Sequence, residues 1–556
     1  MDRMSLRNII LEHQLLPEGR LRELEALSIS SGEGLLETVL RGGHLREEVL
    51  LPRVGAYLGL EWQSQENYTE GLDAAFYQEL PAEVKTLETL LPVRRQGEEA
   101  VQVLVADPAQ VDMFDQLQNR FGWDARLILA STAQLQKIRT LLENEGALQG
   151  ALEEVGSARL DDAALEELAN EAPIIRLVNL IIMQAISEGG SDVHLEPYEE
   201  HAVVRYRVDG VLREVSSYPM QQYPALVSRI KIMANLDIAE RRIPQDGRIT
   251  IKILDREYDL RVASIPLLHG EGVVMRILDK GSINKSLDQL GFSADLLAAM
   301  QGQLHRPHGI FLVTGPTGSG KTTTLYAALA SILSPESKII TVEDPVEYHL
   351  DGISQIHVNP KVGLSFAAGL RSVLRLDPDI IMVGEIRDTE TAEIAVRAAL
   401  TGHLVFSTLH TNDAVSAAAR LVDMGIPPYL LASSLNGILA QRLVRKLCEF
   451  CKEETSPDET LKGMFQAAGK TAPEVVWRAH GCDECSGSGY QGRVGVYELL
   501  EVDAALAALI SRNASSEEVR SCFTGRGGQL LHEAGLDKIA AGLSTEEEVL
   551  RITQSE

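Results

Sequence analysis

Only five of the 556 residues are cysteine. That excludes a disulfide-stapled scaffold, and a chain of this length can bury several cores without one. Four of the five stand as Cys448-x-x-Cys451 and Cys482-x-x-Cys485, a spacing that suggests metal binding and a reducing, cytoplasmic compartment. Basic residues are scarce too: 52 Lys and Arg face 80 Asp and Glu, giving a net charge of −28. A broad nucleic-acid surface needs clustered Lys and Arg, so nucleic acid is not an expected partner. Also lacking is a run of about 18 apolar residues, so no transmembrane helix is expected. The longest candidates, such as Ile174 to Ile186, are broken by Arg176, Asn179 and Gln184. Met1-Asp2-Arg3-Met4 leads into a charged amphipathic stretch and not a signal peptide. What is present, 45% hydrophobic and 24% charged residues, is an ordinary globular balance that excludes global disorder. At about 150 residues per domain, three or four domains are expected.

The chain divides by pattern. Residues 1–142 form an N-terminal region, helical over 1–70 and α/β over 71–142. Within the helical part, the segments around Glu12-His13-Gln14 and Arg41-Gly42-Gly43-His44 each read as helix, polar turn, helix. In the α/β part, Leu90 to Val93, Val101 to Ala106 and Arg126 to Ala130 read as strands. Asp107-Pro108 starts a helix, and Ser131-Thr132 offers a helix cap. Residues 143–171 hold nine acidic residues, one basic residue and no aromatic, the composition of a solvated linker. An α+β domain follows over 172–282, with a helix from Ile174 to Ile186 ended by Gly189-Gly190, and a hairpin turned by Asp209-Gly210. Over 283–556 strands alternate with helices, which predicts a parallel sheet. A cysteine-bearing insert spans 446–495, and helices fill the C-terminus.

Gly315-Pro316-Thr317-Gly318-Ser319-Gly320-Lys321-Thr322 matches G-x-x-x-x-G-K-[ST] at every fixed position. It lies between a strand-like Ile310 to Thr314 and a helix-like stretch from Thr322, the context this phosphate loop needs. Glycines let backbone N–H groups curl around phosphate oxygens, and the helix N-terminus adds positive potential. Lys321 is expected on the β and γ phosphates of ATP, Thr322 on Mg²⁺, and Thr323 beside them. Ile380 to Val383 ends in Gly384-Glu385, and an acid at that strand end holds Mg²⁺ or its water. Ile339 to Val342 ends in Glu343, which can orient or deprotonate the attacking water. Spacing does not rank the two acids. His403 and His410 bracket another strand, Leu404 to Thr408, and a neutral histidine there can sense the γ-phosphate. The two C-x-x-C pairs, thirty residues apart, supply four thiolates for tetrahedral Zn²⁺ with no open position, hence a structural site.

These residues carry a resemblance. Thr341-Val342-Glu343-Asp344-Pro345-Val346-Glu347 resembles the Asp box of the secretion ATPases of the type II secretion and type IV pilus assembly class. Asp379 to Asp388 resembles their Walker B box, and Thr401-Gly402-His403 through His410-Thr411-Asn412 their His box. The tetracysteine insert matches as well. The segments from Ser228 to Arg242 and from Val274 to Lys280 resemble the type II secretion branch most closely. The resemblance implies a RecA-like P-loop ATPase domain preceded by a PAS-like domain and a small N-terminal α/β region. It further implies a homohexamer that hydrolyses ATP to drive pseudopilus assembly and protein export. The N-terminal region would dock the cytoplasmic domain of an inner-membrane platform protein, giving peripheral association with that membrane. Extension of a type IV pilus is the alternative. Arg261 and Arg276 occupy strand positions where the class brings arginines to the γ-phosphate, with Arg207 a further candidate. In one pilus-like branch tandem helical units bind cyclic di-GMP, but that branch's opening Arg-Leu-Gly is absent before Ile9.

Overall fold

The structure is a computed structural model that describes residues 3–13, 15–31, 34–41, 45, 47–62, 72–95, 100–106, 111–132, 134–136, 138–139, 142, 169, 172–253, 256–279 and 286–553. The acidic linker expected over 143–171, apart from residue 169, lies outside the described residues, as do Asp107-Pro108 and the turn at residues 42–44.

The first helices, Arg3–Glu12, Glu18–Ser31, Leu35–Arg41 and Glu47–Leu58, bury a face made of Leu6, Ile10, Leu21, Leu50 and Val54. The expectation of helix alone up to residue 70 misses one element. The short strand β1 (Glu61–Trp62) joins a sheet with β2 (Leu90–Arg94), β3 (Val101–Val105) and β4 (Ala125–Leu129), in the order β1-β4-β3-β2. Val105 and Leu129 of this sheet pack into the helical core, so the helices and the sheet share one apolar layer. A two-residue strand carries too little alternation to be read from sequence.

A second sheet is antiparallel throughout. It contains β5 (Gly190–Pro197), β6 (His201–Val208), β7 (Val211–Pro219), β8 (Gln245–Ile253), β9 (Arg256–Leu267) and β10 (Gly270–Asp279), in the order β7-β6-β5-β10-β9-β8. Helices Ala172–Ser187 and Tyr223–Met233 cover the face bearing Val193, Leu195, Val204, Tyr206, Leu260 and Met275. Asp209 and Gly210 turn β6 into β7 with φ values of 49° and 86°, the left-handed pair that suits a tight hairpin.

The third sheet carries the phosphate loop. Its strands are β11 (Gly309–Thr314), β12 (Ile339–Glu343), β13 (Ser354–His357), β14 (Ile380–Val383), β15 (Leu404–Leu409) and β16 (Leu435–Leu447). After β16 come the small pair β17 (Glu453–Thr455) and β18 (Val476–Arg478), and then β19 (Tyr490–Glu501). The order is β13-β12-β14-β15-β11-β16-β19. The first six pair in parallel, as strand–helix alternation predicts, but β19 runs antiparallel to β16. It returns directly beside β16; the one helix on the way among the described residues, Glu459–Ala467, stays within the excursion and does not carry the chain back across the sheet. The insert is therefore shorter than expected: residues 448–489 are the excursion between these two strands. Buried side chains alternate across the sheet. Ile310, Leu312, Ile381, Val383 and Val405 face one helical layer, and Phe311, Val313, Met382 and Phe406 the other.

Candidate functional site

The loop of residues 315–320 leaves the C-terminal end of β11, a strand buried at every residue, and runs into helix Lys321–Ser331. Its backbone needs its glycines. Gly315 has φ 149°, and a Cβ there would stand 2.4 Å from the carbonyl oxygen of Gln441. Gly318 has φ 79° with nothing within 4 Å of where a Cβ would point, so that side of the loop is open. Ser319 Oγ is buried and has no hydrogen-bond partner in the protein. Lys321 Nζ folds back to donate to the carbonyl oxygens of Gly315 (2.8 Å) and Pro316 (2.9 Å). Burial, aided by Arg442 and opposed by Glu385, pulls its ammonium down to about 8. An orphaned hydroxyl, an open curl of backbone and a half-desolvated ammonium all suit a polyphosphate. Pro316, Thr317, Thr322 and Thr323 are exposed at the mouth of this loop.

Glu385 follows β14 and faces the same region. Its turn is fastened on both sides: Gly384 N–H donates to Val342 O (2.8 Å) and Thr408 Oγ1 donates to Gly384 O (2.7 Å). One carboxylate oxygen pairs with Arg387 at 2.5 Å, and the other lies 3.5 Å from His410 Nε2. Burial and the nearby Lys321 charge lower the His410 pKa, against the pull of Glu385, which favours the neutral ring. Lys321, Glu385 and His410 are thus brought together. His403 is not: it lies at the opposite end of β15, where Nδ1–H donates to Ala398 O (2.9 Å) and closes the end of helix Thr389–Leu400. A strand of six residues spans about 20 Å, which removes His403 from phosphate sensing.

Glu343 ends β12 as read from the sequence, but it is buried and both oxygens are taken. Tyr326 donates to one; Thr341 (2.5 Å) and Gln355 (3.2 Å) donate to the other. Burial and this carboxylate hold the Tyr326 phenol protonated far above its ordinary range.

The arginines form a feature that register alone creates. Arg248, Arg261, Arg276, Asp192 and Arg207 stand directly opposite one another across β8, β9, β10, β5 and β6. Each arginine has an acidic neighbour here. Arg261 pairs with Glu347 (2.7 Å) of the Asp-box segment, Arg276 with Asp192 (2.9 Å), and Arg248 with Asp259 (3.1 Å); Arg207 is 3.9 Å from Asp192. A cavity of about 490 Å³ lies over the row, lined by Arg248, Arg261, Arg276, Asp192 and Pro345.

Sequence reading missed Gln441 and Arg442. Gln441 clamps the phosphate loop, donating to Ser319 O (2.8 Å) while accepting from Thr324 Oγ1 (2.7 Å). Arg442 donates to Asn412 O (3.2 Å) and Oδ1 (3.1 Å), just after His410. The signal was there: two large polar residues interrupt the apolar run Ile438-Leu439-Ala440 … Leu443-Val444.

The four cysteines converge. Sγ atoms of Cys448 and Cys482, Cys451 and Cys485, and Cys482 and Cys485 are each 3.8 Å apart, and all four lie within 4.8 Å of one another. Four sulfurs held at about 2.3 Å around a tetrahedral ion stand about 3.8 Å apart, so the set fits zinc. Backbone amides support it: Gly481 N–H donates to Cys451 Sγ, and Cys482 and Gly489 N–H donate to Cys485 Sγ. Burial pushes the Cys482 thiol up to about 12, a cost that a central cation removes. Among the described residues, no helix is long and apolar enough to cross a membrane.

Residues 167–551 match the family described as "Type II/IV secretion system protein". "Type II secretion system ATPase E" of Vibrio cholerae is 45% identical over 469 residues, covering 84% of this chain and 90% of that protein. "Type IV pilus assembly ATPase PilB" of Myxococcus xanthus is 40% identical over 559 residues, covering 98% of each. The X-ray structure of the Legionella pneumophila ATPase DotB superposes with a TM-score of 0.51 over 68% of this chain and 96% of that one, at 22% identity, which speaks to the fold.

Proposed function

We propose that this chain, which belongs to the family of type II/IV secretion system proteins, is the ATPase motor that drives pseudopilus assembly and protein export in type II secretion. The observation that carries the reading is the convergence of the glycine-rich loop, Lys321, Glu385 and His410 at one end of the third sheet. In this reading residues 283–556 are a RecA-like ATPase domain, 172–282 a PAS-like domain, and 1–142 the platform-docking region, with 143–171 as the linker. ATP lies with its phosphates on Gly315 to Thr323. Thr322 and Glu385 are the residues that would hold Mg²⁺, which would offset phosphate charge. Lys321 trades its two loop carbonyls for phosphate oxygens. Arg261 and Arg276 leave Glu347 and Asp192 for the γ-phosphate as the second and third sheets close on each other. Glu343 orients or deprotonates the attacking water, and must first turn out of its Tyr326–Thr341–Gln355 cradle. Neutral His410 reports the γ-phosphate through Glu385. The four cysteines hold a structural Zn²⁺.

The motor works as a homohexamer at the cytoplasmic face of the inner membrane, held there by the cytoplasmic domain of a platform protein. Extension of a type IV pilus is the second reading, supported by the pilus relative that spans nearly the whole chain, although a type II secretion relative spans it equally. Mg-ATPase rate per chain, measured against protein concentration with each platform's cytoplasmic domain, tests both. The proposal expects a rate that rises with concentration and with the secretion platform. A rate raised by the pilus platform alone moves the assignment to pilus extension, and no hydrolysis under any condition overturns the motor.

A further inference from the structure

Glu498 is an acid that the site as described does not use. It lies in β19, opposite Ala440 of β16 and one residue from the partner of Gln441, the phosphate-loop clamp. It is 2% exposed. Its two oxygens go to two different helices. One accepts from Ala414 N–H (2.9 Å), the first residue of helix Ala414–Asp423; the other accepts from Leu531 N–H (3.0 Å), the first residue of helix Leu531–Ala540. Both contacts place a carboxylate against the positive end of a helix, and together they offset part of the cost of its burial. Helix Ala414–Asp423 begins four residues after His410.

The intervening residues are fastened too. Arg442 of β16 holds Asn412, and Arg520 of helix Ser516–Thr524 pairs with Asp413 (2.9 Å), whose carboxylate also caps Ser416 N–H (2.6 Å). Every residue from 412 to 414 is therefore tied to β16, β19 or a C-terminal helix. Burial pushes the Glu498 carboxyl up to about 7, with its two amide donors acting the other way. Each oxygen accepts one amide, and ionisation strengthens both contacts, since protonation would put a hydrogen on one oxygen and weaken its hold.

Resting on the ATPase reading, we propose that Glu498 is a positioning residue: by holding the starts of two helices at once, it fixes His410 against Glu385 and couples the nucleotide site to the C-terminal helices. The amide group of a glutamine at this position presents an NH₂ to one of the two N–H donors and so breaks one bond while keeping volume. Glu498→Gln is expected to lower kcat about tenfold or more while ATP affinity, read by a fluorescent ATP analogue, stays within about twofold. Hydrogen exchange is expected to quicken at the first turns of both helices.

Ala414→Pro supplies an independent break. It removes one donor at the first helical position, where proline is tolerated, and Asp413 before it is extended with ψ 172°. The two changes are expected to be non-additive, the double variant falling no further than the worse single one. Parental kcat in Glu498→Gln, or a fall in ATP affinity matching the fall in kcat, overturns the proposal. Faster exchange at one helix alone overturns the coupling. A parent chain that hydrolyses no ATP is a failure of the ATPase reading, and is distinct from either result.

Discussion

The third sheet and the second sheet contribute to one proposed site by opposite routes. On the third sheet the chemistry is written in consecutive residues: Gly315 to Thr322 are at once the motif and the loop. On the second sheet no single contiguous motif holds the charged row. Arg248, Arg261, Arg276, Asp192 and Arg207 come from five strands and meet because antiparallel register sets them opposite one another. Local chemistry survives in sequence because the backbone that shapes it is the same backbone that carries it. Chemistry built by register is not written in residue spacing: a family resemblance can name the arginines, but not their alignment, since a slip of one residue in any strand would turn a side chain to the other face.

The largest effect should come from breaking the contiguous half. Lys321→Ala removes the one ammonium folded into the loop, and is expected to abolish hydrolysis, a loss above about 3 kcal/mol in the barrier. Steady-state phosphate release checks it. Breaking the register-built half should cost less. Arg276→Gln is expected to lower kcat on the order of 10²-fold, short of a free arginine finger, because Asp192 already draws on its charge. A matched loss of ATP affinity would place Arg276 in ground-state binding instead.

The comparison extends to the four-cysteine cluster, which mixes the two routes. Each C-x-x-C is local, but the two meet only because β19 returns beside β16. We expect one zinc per chain by elemental analysis of protein purified without chelator. Chelation, or Cys482→Ser, is expected to raise hydrogen exchange across residues 448–489 while leaving the fold of β11 to β15 intact.

The smallest effect concerns Glu548, a contact from the last helix, Glu546–Thr553, to β16. Burial opposes its charge, but Arg551 and Arg445 outweigh it and hold the carboxyl down at about 2. A depressed carboxylate adds stability above about pH 4.5, lost as pH falls toward 2. Acid titration should therefore release this helix, seen as faster amide exchange at 549–553, and Glu548→Gln should flatten that response.

Much of the fold was legible for the same physical reason as the loop. Strand–helix alternation gave the parallel sheet up to β16, and Asp209-Gly210 gave its hairpin. What escaped depends on distance along the chain. The antiparallel return of β19, the strand Glu61–Trp62 and the narrower insert all follow from partners, which residue patterns do not name. Glu343 and Glu385 look alike in sequence, each an acid at a strand end, yet one is buried under three donors and the other pairs with Arg387 and His410. Gln441 was visible as a polar break in an apolar strand, but its task depends on which strand lies next to β11.

The most direct test of the central claim is phosphate release by Glu385→Gln beside the parent, each saturated with Mg-ATP, with bound nucleotide measured in the same samples. The account predicts that the variant binds ATP as the parent does and releases phosphate at background. A variant that turns over at the parental rate would contradict the assignment of this cluster as the hydrolytic site.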